Sequence, residues 1–148
     1  MQHSGRTLFI TFVTHARWRL PEAAREIVLG CCLRDRDAKY VLHAAVVMPD
    51  HVHLILSPLM DVEGASFAIA TIMNGIKGAS AHAVNKILGR RGRVWQPESF
   101  DHVLRSNESA RSKAEYVCAN PVRAGLVATE DAYPWLWREW VEGMAAQG

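Results

Sequence analysis

Residues 40–58, YVLHAAVVMPDHVHLILSP, hold two runs of aliphatic and β-branched side chains parted only by a short Met-Pro-Asp segment. Tyr40 to Met48 reads as one strand and His51 to Ser57 as the next, with Pro49-Asp50 as a tight turn. Two strands joined so closely must lie antiparallel and adjacent, so a hairpin stands in the middle of the chain. The flanking segments are arranged around it. Leu8 to His15, rich in Phe, Ile, Val and Thr, predicts a strand. Pro21 and the run EAAREIVLGCCLRD predict a helix with proline in its first turn and acid near its N-terminus. After the hairpin, Ala65 to Leu88 is mostly helical in pattern, with Gly75 and Gly78 as expected breaks. A basic loop follows from Gly89 to Gly92, then a strand within Val94–Arg105. A final helix is expected, capped by Ser106 or Asn107 with Glu108 in its first turn. It should stop near Asn120, because Pro121 disfavours helical backbone in the residue before it. This order predicts an α+β fold: a ferredoxin-like βαββαβ core, with an antiparallel sheet and helices on one face, plus a C-terminal helix.

The length of 148 residues suits one domain, expected to span residues 1–148. A chain of that size buries about two-thirds of its unfolded surface and needs no disulfide or structural metal to stand. With 49% hydrophobic and 22% charged residues the composition is that of a globular protein, which excludes disordered and collagen-like classes. The longest uncharged apolar stretch, Tyr40 to Met48, is far short of the ~20 residues of a membrane span. The N-terminal residues are too polar for a secretory signal. Cys31, Cys32 and Cys118 form no CxxC and no zinc spacing, so reduced thiols and a cytoplasmic location are expected.

The net charge is only +2, but it is unevenly spread. Between Gly64 and Pro97 stand Lys77, Lys86, Arg90, Arg91 and Arg93, with no acid among them. A basic segment on a near-neutral chain points to a polyanionic partner, and a solvated loop is the plainer alternative.

The hairpin also carries chemistry. Alternate residues of a strand face the same side, so His51, His53 and Ile55 share one face, while Val52, Leu54 and Leu56 share the other. Imidazoles two residues apart can converge on one cation. A His-x-His pair alone is a weak signal, since outward-facing strand histidines are common. Cupins and carbonic-anhydrase-like proteins use the same spacing, but on many more strands than this chain can supply.

On the final helix Ala110, Ala114, Val117 and Cys118 form an apolar stripe. Tyr116 lies nearly opposite that stripe, and Asn120 follows it by four, so the two project together. A phenol beside an amide on a non-core face can complete a metal site and supply a nucleophile. The alternative is an amphipathic tyrosine packed at a rim.

Three segments together, MPDHVHLIL, RVWQPESFDHVLR and YVCANPVRAGLV, resemble the single-tyrosine HUH transposases of bacterial insertion sequences, and most of all their REP-associated tyrosine transposase branch. The resemblance runs over nearly the whole chain. It implies that His51, His53 and Asn120 hold a divalent metal, Mg²⁺ or Mn²⁺, and that Tyr116 is the nucleophile. It implies a metal-dependent cleavage and rejoining of single-stranded DNA near a hairpin through a 5′-phosphotyrosine intermediate. It further implies DNA contacts from Lys86, Arg90, Arg91, Arg93, Trp95, Gln96, Arg105 and Arg123, with Trp95 alternatively packed in the core. Asp50 stands where the family commonly has asparagine, and a carboxylate there can join the metal site. A hairpin-binding protein without transposition, and a metal-dependent hydrolase that does not use its tyrosine, are the competing readings. A monomer and a homodimer with exchanged tyrosine helices both remain open. The expected partner is single-stranded or hairpin DNA, with no membrane.

Overall fold

The computed structural model describes residues 5–105 and 109–140. The first strand, β1 (Leu8–Thr14), buries Leu8, Ile10 and Phe12 on one side and turns Phe9 and Thr11 to the other. A single 3-10 turn at His15–Arg17 leads to α1 (Glu22–Arg34). The hairpin follows as β2 (Tyr40–Val47) and β3 (His51–Pro58). Then come α2 (Ile69–Leu88), β4 (Trp95–Val103), α3 (Ala110–Cys118), a short α4 (Asn120–Arg123) and β5 (Leu136–Arg138).

The sheet order is β4-β1-β3-β2-β5, and every neighbouring pair is antiparallel. Its first four strands have the order expected of the βαββαβ core; β5 is an added edge. The register sets Val13 opposite His51 and Thr11 opposite His53.

Each face of the sheet has its own core. On one, Ala24, Val28 and Cys32 of α1 and Ile72, Ile76 and Val84 of α2 cover Ile10, Phe12, Val52, Leu54 and Leu56. On the other, Ala114, Val117 and Cys118 of α3 cover Ala44, Val46 and Ile55. That second patch is closed by Tyr133, whose hydroxyl donates to the Val47 carbonyl at 2.6 Å. Trp135 and Trp137 are half-buried against the first core, and Trp135 and Trp140 against the second. All three cysteines are free thiols. No described helix is long and apolar enough to cross a membrane.

Three expectations need correction. α2 begins at Ile69 rather than Ala65, and it runs unbroken through Gly75 and Gly78. The burial of one apolar stripe outweighs the roughly 1 kcal/mol that each helical glycine costs relative to alanine. α3 is capped by Ser109, whose hydroxyl accepts from the Ser112 amide at 3.2 Å; the expected caps Ser106 and Asn107, with Glu108, lie outside the described residues. Finally, α3 stops at Cys118, and Asn120 opens α4, where Pro121 occupies the first turn. Proline fits there because that position has no helical acceptor for an N–H.

Candidate active site

β3 delivers two imidazoles to the α3 face of the sheet. Because Val52, Leu54 and Leu56 fill the other core, His51 and His53 point away from it, with ring centroids 4.8 Å apart. Each ring is engaged through Nδ1. For His51 the partner is Asp50 Oδ1 at 2.7 Å. For His53 it is the hydroxyl of Thr11, its cross-strand neighbour, at 2.8 Å. Bonds of this kind orient imidazoles that ligate a metal through Nε2. His51 Nε2 lies 3.5 Å from the side-chain amide nitrogen of Asn120, and rotating that amide would bring its oxygen to the same point.

The local electrostatics favour a neutral His53. Burial, together with the neighbouring His51 ring and the positive charges of Arg123 and Lys113, lowers its pKa to about 4. Asp50 behaves differently. Burial would raise its pKa, but the hydrogen bond from His51 and the Arg17 guanidinium outweigh that and hold it below the usual carboxylate value.

The other wall comes from α3 and α4. Since Ala114, Val117 and Cys118 are buried, Tyr116 is turned outward and is 58% exposed. The Arg123 guanidinium carbon sits 4.1 Å from the Tyr116 ring centroid, and its Nη1 donates to the Tyr116 carbonyl at 2.8 Å. Lys113 Nζ is 5.2 Å from the same ring and 4.8 Å from that of Phe9. Phe9, His51, His53, Lys113, Tyr116, Val117, Asn120 and Arg123 line one cleft of about 420 Å³. One chain supplies all of them, and none is acidic. Two imidazole Nε2 atoms and an amide make a donor set that fits a divalent cation with positions left for oxygen ligands. Among the described residues no three His, Cys, Asp or Glu side chains converge to hold a metal; the side chain beside His51 Nε2 is that of Asn120.

Five of the anticipated residues therefore meet: Tyr116, His51, His53, Asn120 and Arg123. Thr11, Phe9 and Lys113 join them unannounced. Lys113 precedes Tyr116 by three, a helical spacing that was there to be read. Thr11 could be found only from the strand register.

The remaining anticipated DNA contacts divide. Lys86, Arg91 and Arg93 are exposed. Arg90 is engaged in its own loop: it lies over the Trp18 ring at 3.8 Å and donates to Asn85 Oδ1 at 2.9 Å and to the Arg93 carbonyl at 3.2 Å. Trp95 is not available for base stacking. It is 6% exposed, meets Phe12 edge-on at 4.7 Å and donates its indole N–H to Ser80 Oγ at 3.0 Å. Gln96 is half-buried, 3.4 Å from the Thr14 carbonyl. Strand register puts the start of β4 at the His51 end of the sheet, where Thr14 pairs with Trp95. Arg105, beyond the other end of β4, is exposed and is not among the residues that line the cleft.

Comparison with known proteins adds a lineage to this geometry. The family model described as "Transposase IS200 like" matches residues 12–119. That match takes in His51, His53 and Tyr116 and ends one residue before Asn120. A REP-associated tyrosine transposase of Escherichia coli K12 is 30% identical over 100 residues, which are 67% of this chain and 54% of the relative. The chain thus spans about half the length of that curated relative. A solved structure of a REP-associated tyrosine transposase bound to a REP hairpin aligns with a TM-score of 0.71 at 25% identity, covering 92% of this chain and 78% of the other.

Proposed function

The chain belongs to the IS200-like transposase family, and from that premise we propose that it cleaves and rejoins single-stranded DNA beside a hairpin, with Tyr116 as the nucleophile. The observation that carries this reading is the meeting of Tyr116 with His51, His53 and Asn120 in one cleft whose lining, among the described residues, includes no acid. The relative bound to a REP hairpin supports a folded DNA strand as the substrate.

In the first half-reaction the Tyr116 oxygen attacks a backbone phosphorus. A P–O bond to tyrosine forms and the bond to the 3′ oxygen breaks, leaving a 5′-phosphotyrosine and a 3′-hydroxyl that has taken up a proton. Attack by a 3′-hydroxyl on that phosphotyrosine reverses the step and reseals the strand, so no external energy source is needed. Lys113 and Arg123 flank the phenol, where they can bind the non-bridging phosphate oxygens and hold them in line. His51, His53 and Asn120 would hold Mg²⁺ or Mn²⁺, which when bound supplies Lewis-acid polarisation of the phosphate. Thr11 and Asp50 keep the two imidazoles oriented.

The test is a denaturing gel of hairpin-bearing single-stranded DNA incubated with the protein and Mg²⁺ or Mn²⁺. The native chain should give a protease-sensitive DNA adduct. Tyr116→Phe should lose the adduct and keep hairpin affinity within about threefold, because the hydroxyl is not needed for backbone contacts. Hairpin binding without any adduct from the native chain would instead favour a binding protein. Free cleaved ends from Tyr116→Phe would point to hydrolysis.

A further inference from the structure

His51 is held from behind by a chain of two charged groups. Asp50 divides its carboxylate: Oδ1 faces His51 Nδ1 at 2.7 Å, and Oδ2 accepts from Arg17 Nε at 3.0 Å and pairs with Nη2 at 2.9 Å. The Asp50 backbone is fixed as well, its carbonyl accepting from the Thr14 amide at 2.9 Å and the Thr14 hydroxyl at 3.2 Å. Arg17 reaches this carboxylate through an unusual turn. Ala16 and Arg17 both have positive φ, at 53° and 56°. Left-handed backbone is strained for an L-residue, whose Cβ crowds the following carbonyl oxygen. Two such residues in succession persist only where the surroundings over-determine them, and functional sites are where such strain collects. Here the turn is pinned by His15 N–H to the Val94 carbonyl at 2.8 Å and by Leu20 N–H to the Pro49 carbonyl at 2.7 Å.

We propose that Asp50, braced by Arg17, is a positioning residue that locks His51 in the tautomer with the proton on Nδ1 and so presents the Nε2 lone pair to the cleft. The proposal rests on the reading of His51 as a metal ligand. A carboxylate only accepts hydrogen bonds, so the ring nitrogen facing it has to carry the proton. The lone pair then lies on Nε2, the nitrogen nearest Asn120. Thr11 cannot impose the same choice on His53, because a hydroxyl both donates and accepts. Among the described residues Asp50 is therefore the group that decides a tautomer in the imidazole pair. Both of its carboxylate oxygens are engaged, one by His51 Nδ1 and the other by Arg17, so it acts through His51.

The experiment uses the full chain with ¹⁵N-labelled histidine, free of metal, at a pH above the imidazole range, followed by a Mn²⁺ titration read by electron paramagnetic resonance. In the native chain, the His51 nitrogen shifts should report a proton on Nδ1. Asp50→Asn preserves shape but leaves a single oxygen, which Arg17 should claim. The amide nitrogen would then face His51, moving the proton to Nε2 and weakening Mn²⁺ about 10–100-fold. Arg17→Gln added to Asp50→Asn should release that oxygen and restore both the tautomer and much of the affinity, a rescue that a purely structural role does not predict. Native shifts and native affinity in Asp50→Asn would overturn the proposal, and failure of the rescue would overturn the part given to Arg17. If the native chain binds no Mn²⁺, the metal reading fails on its own, while the tautomer measurement still decides whether Asp50 governs His51.

Discussion

His53 is a position where burial costs stability in acid. Its ring is enclosed beside Phe9, and burial with nearby positive charge holds its pKa at about 4. An unfolded chain titrates histidine near 6.5. Between those values the unfolded state binds the extra proton, so stability rises with pH. It is fully present above about pH 6.5 and is lost as pH falls toward 4, by up to about 3 kcal/mol at 1.36 kcal/mol per unit. Metal-free protein should therefore show a falling urea midpoint across that window, and His53→Gln should flatten the fall; an unchanged slope in the variant would remove His53 as its source. The same residue shows how far a sequence reaches. Strand alternation alone placed His51 and His53 on one face, and helical spacing placed Tyr116 with Asn120, because both rules are local. The partners Thr11 and Arg17 were not legible. Thr11 reaches His53 through a strand register and Arg17 reaches Asp50 through a left-handed turn, and neither leaves a periodic signal. Trp95 was ambiguous for a related reason: a half-polar ring reads the same whether a helix covers it or solvent does.

At the level of elements, α2 separates propensity from packing. Gly75 and Gly78 looked like breaks, yet the helix passes through both. Burial of Ile72, Met73, Ile76 and Val84 keeps it continuous. Gly75 has no positive φ, and a Cβ added there meets nothing within 4 Å. Gly75→Ala should accordingly stabilise the protein by about 0.5–1 kcal/mol, raising its thermal midpoint by a few degrees. Gly89 is the internal control: it ends the helix at φ 62°, in left-handed backbone, so alanine there should destabilise by about 1 kcal/mol. Equal effects at the two positions would mean that backbone conformation is not what distinguishes them. β5 was invisible beforehand because three residues carry no period. It is held by tertiary contacts instead, through Arg138 to Glu130 and Asp131 at 3.0 and 2.9 Å.

Across the whole molecule, one sheet divides two tasks. The α1/α2 face carries the larger aliphatic core; the α3 face carries a smaller core and leaves room beside it for the cleft. Cationic groups follow the same division. Lys113 and Arg123 stand in the cleft, while Lys86, Arg91 and Arg93 are exposed on and before the loop that enters β4. A net charge of +2 gives little long-range attraction, so on the proposed function affinity for DNA has to come from these local groups. The two sets should fail differently. Each phosphate contact contributes about 0.7 to the slope of log affinity against log salt for a single strand and about 0.9 for a duplex. Arg91→Gln with Arg93→Gln should flatten that slope by about 1.4–1.8 and raise the DNA concentration for half-maximal adduct formation. Arg123→Gln should flatten it by no more than about one contact, but lower the rate at saturating DNA by roughly 100-fold, as loss of a group that meets charge developing at phosphorus would. Adduct formation and filter binding across a salt series separate the two. A slope untouched by the paired loop substitution would take the loop off the DNA path, and an Arg123→Gln protein with a native saturated rate would take the guanidinium off the reacting phosphate.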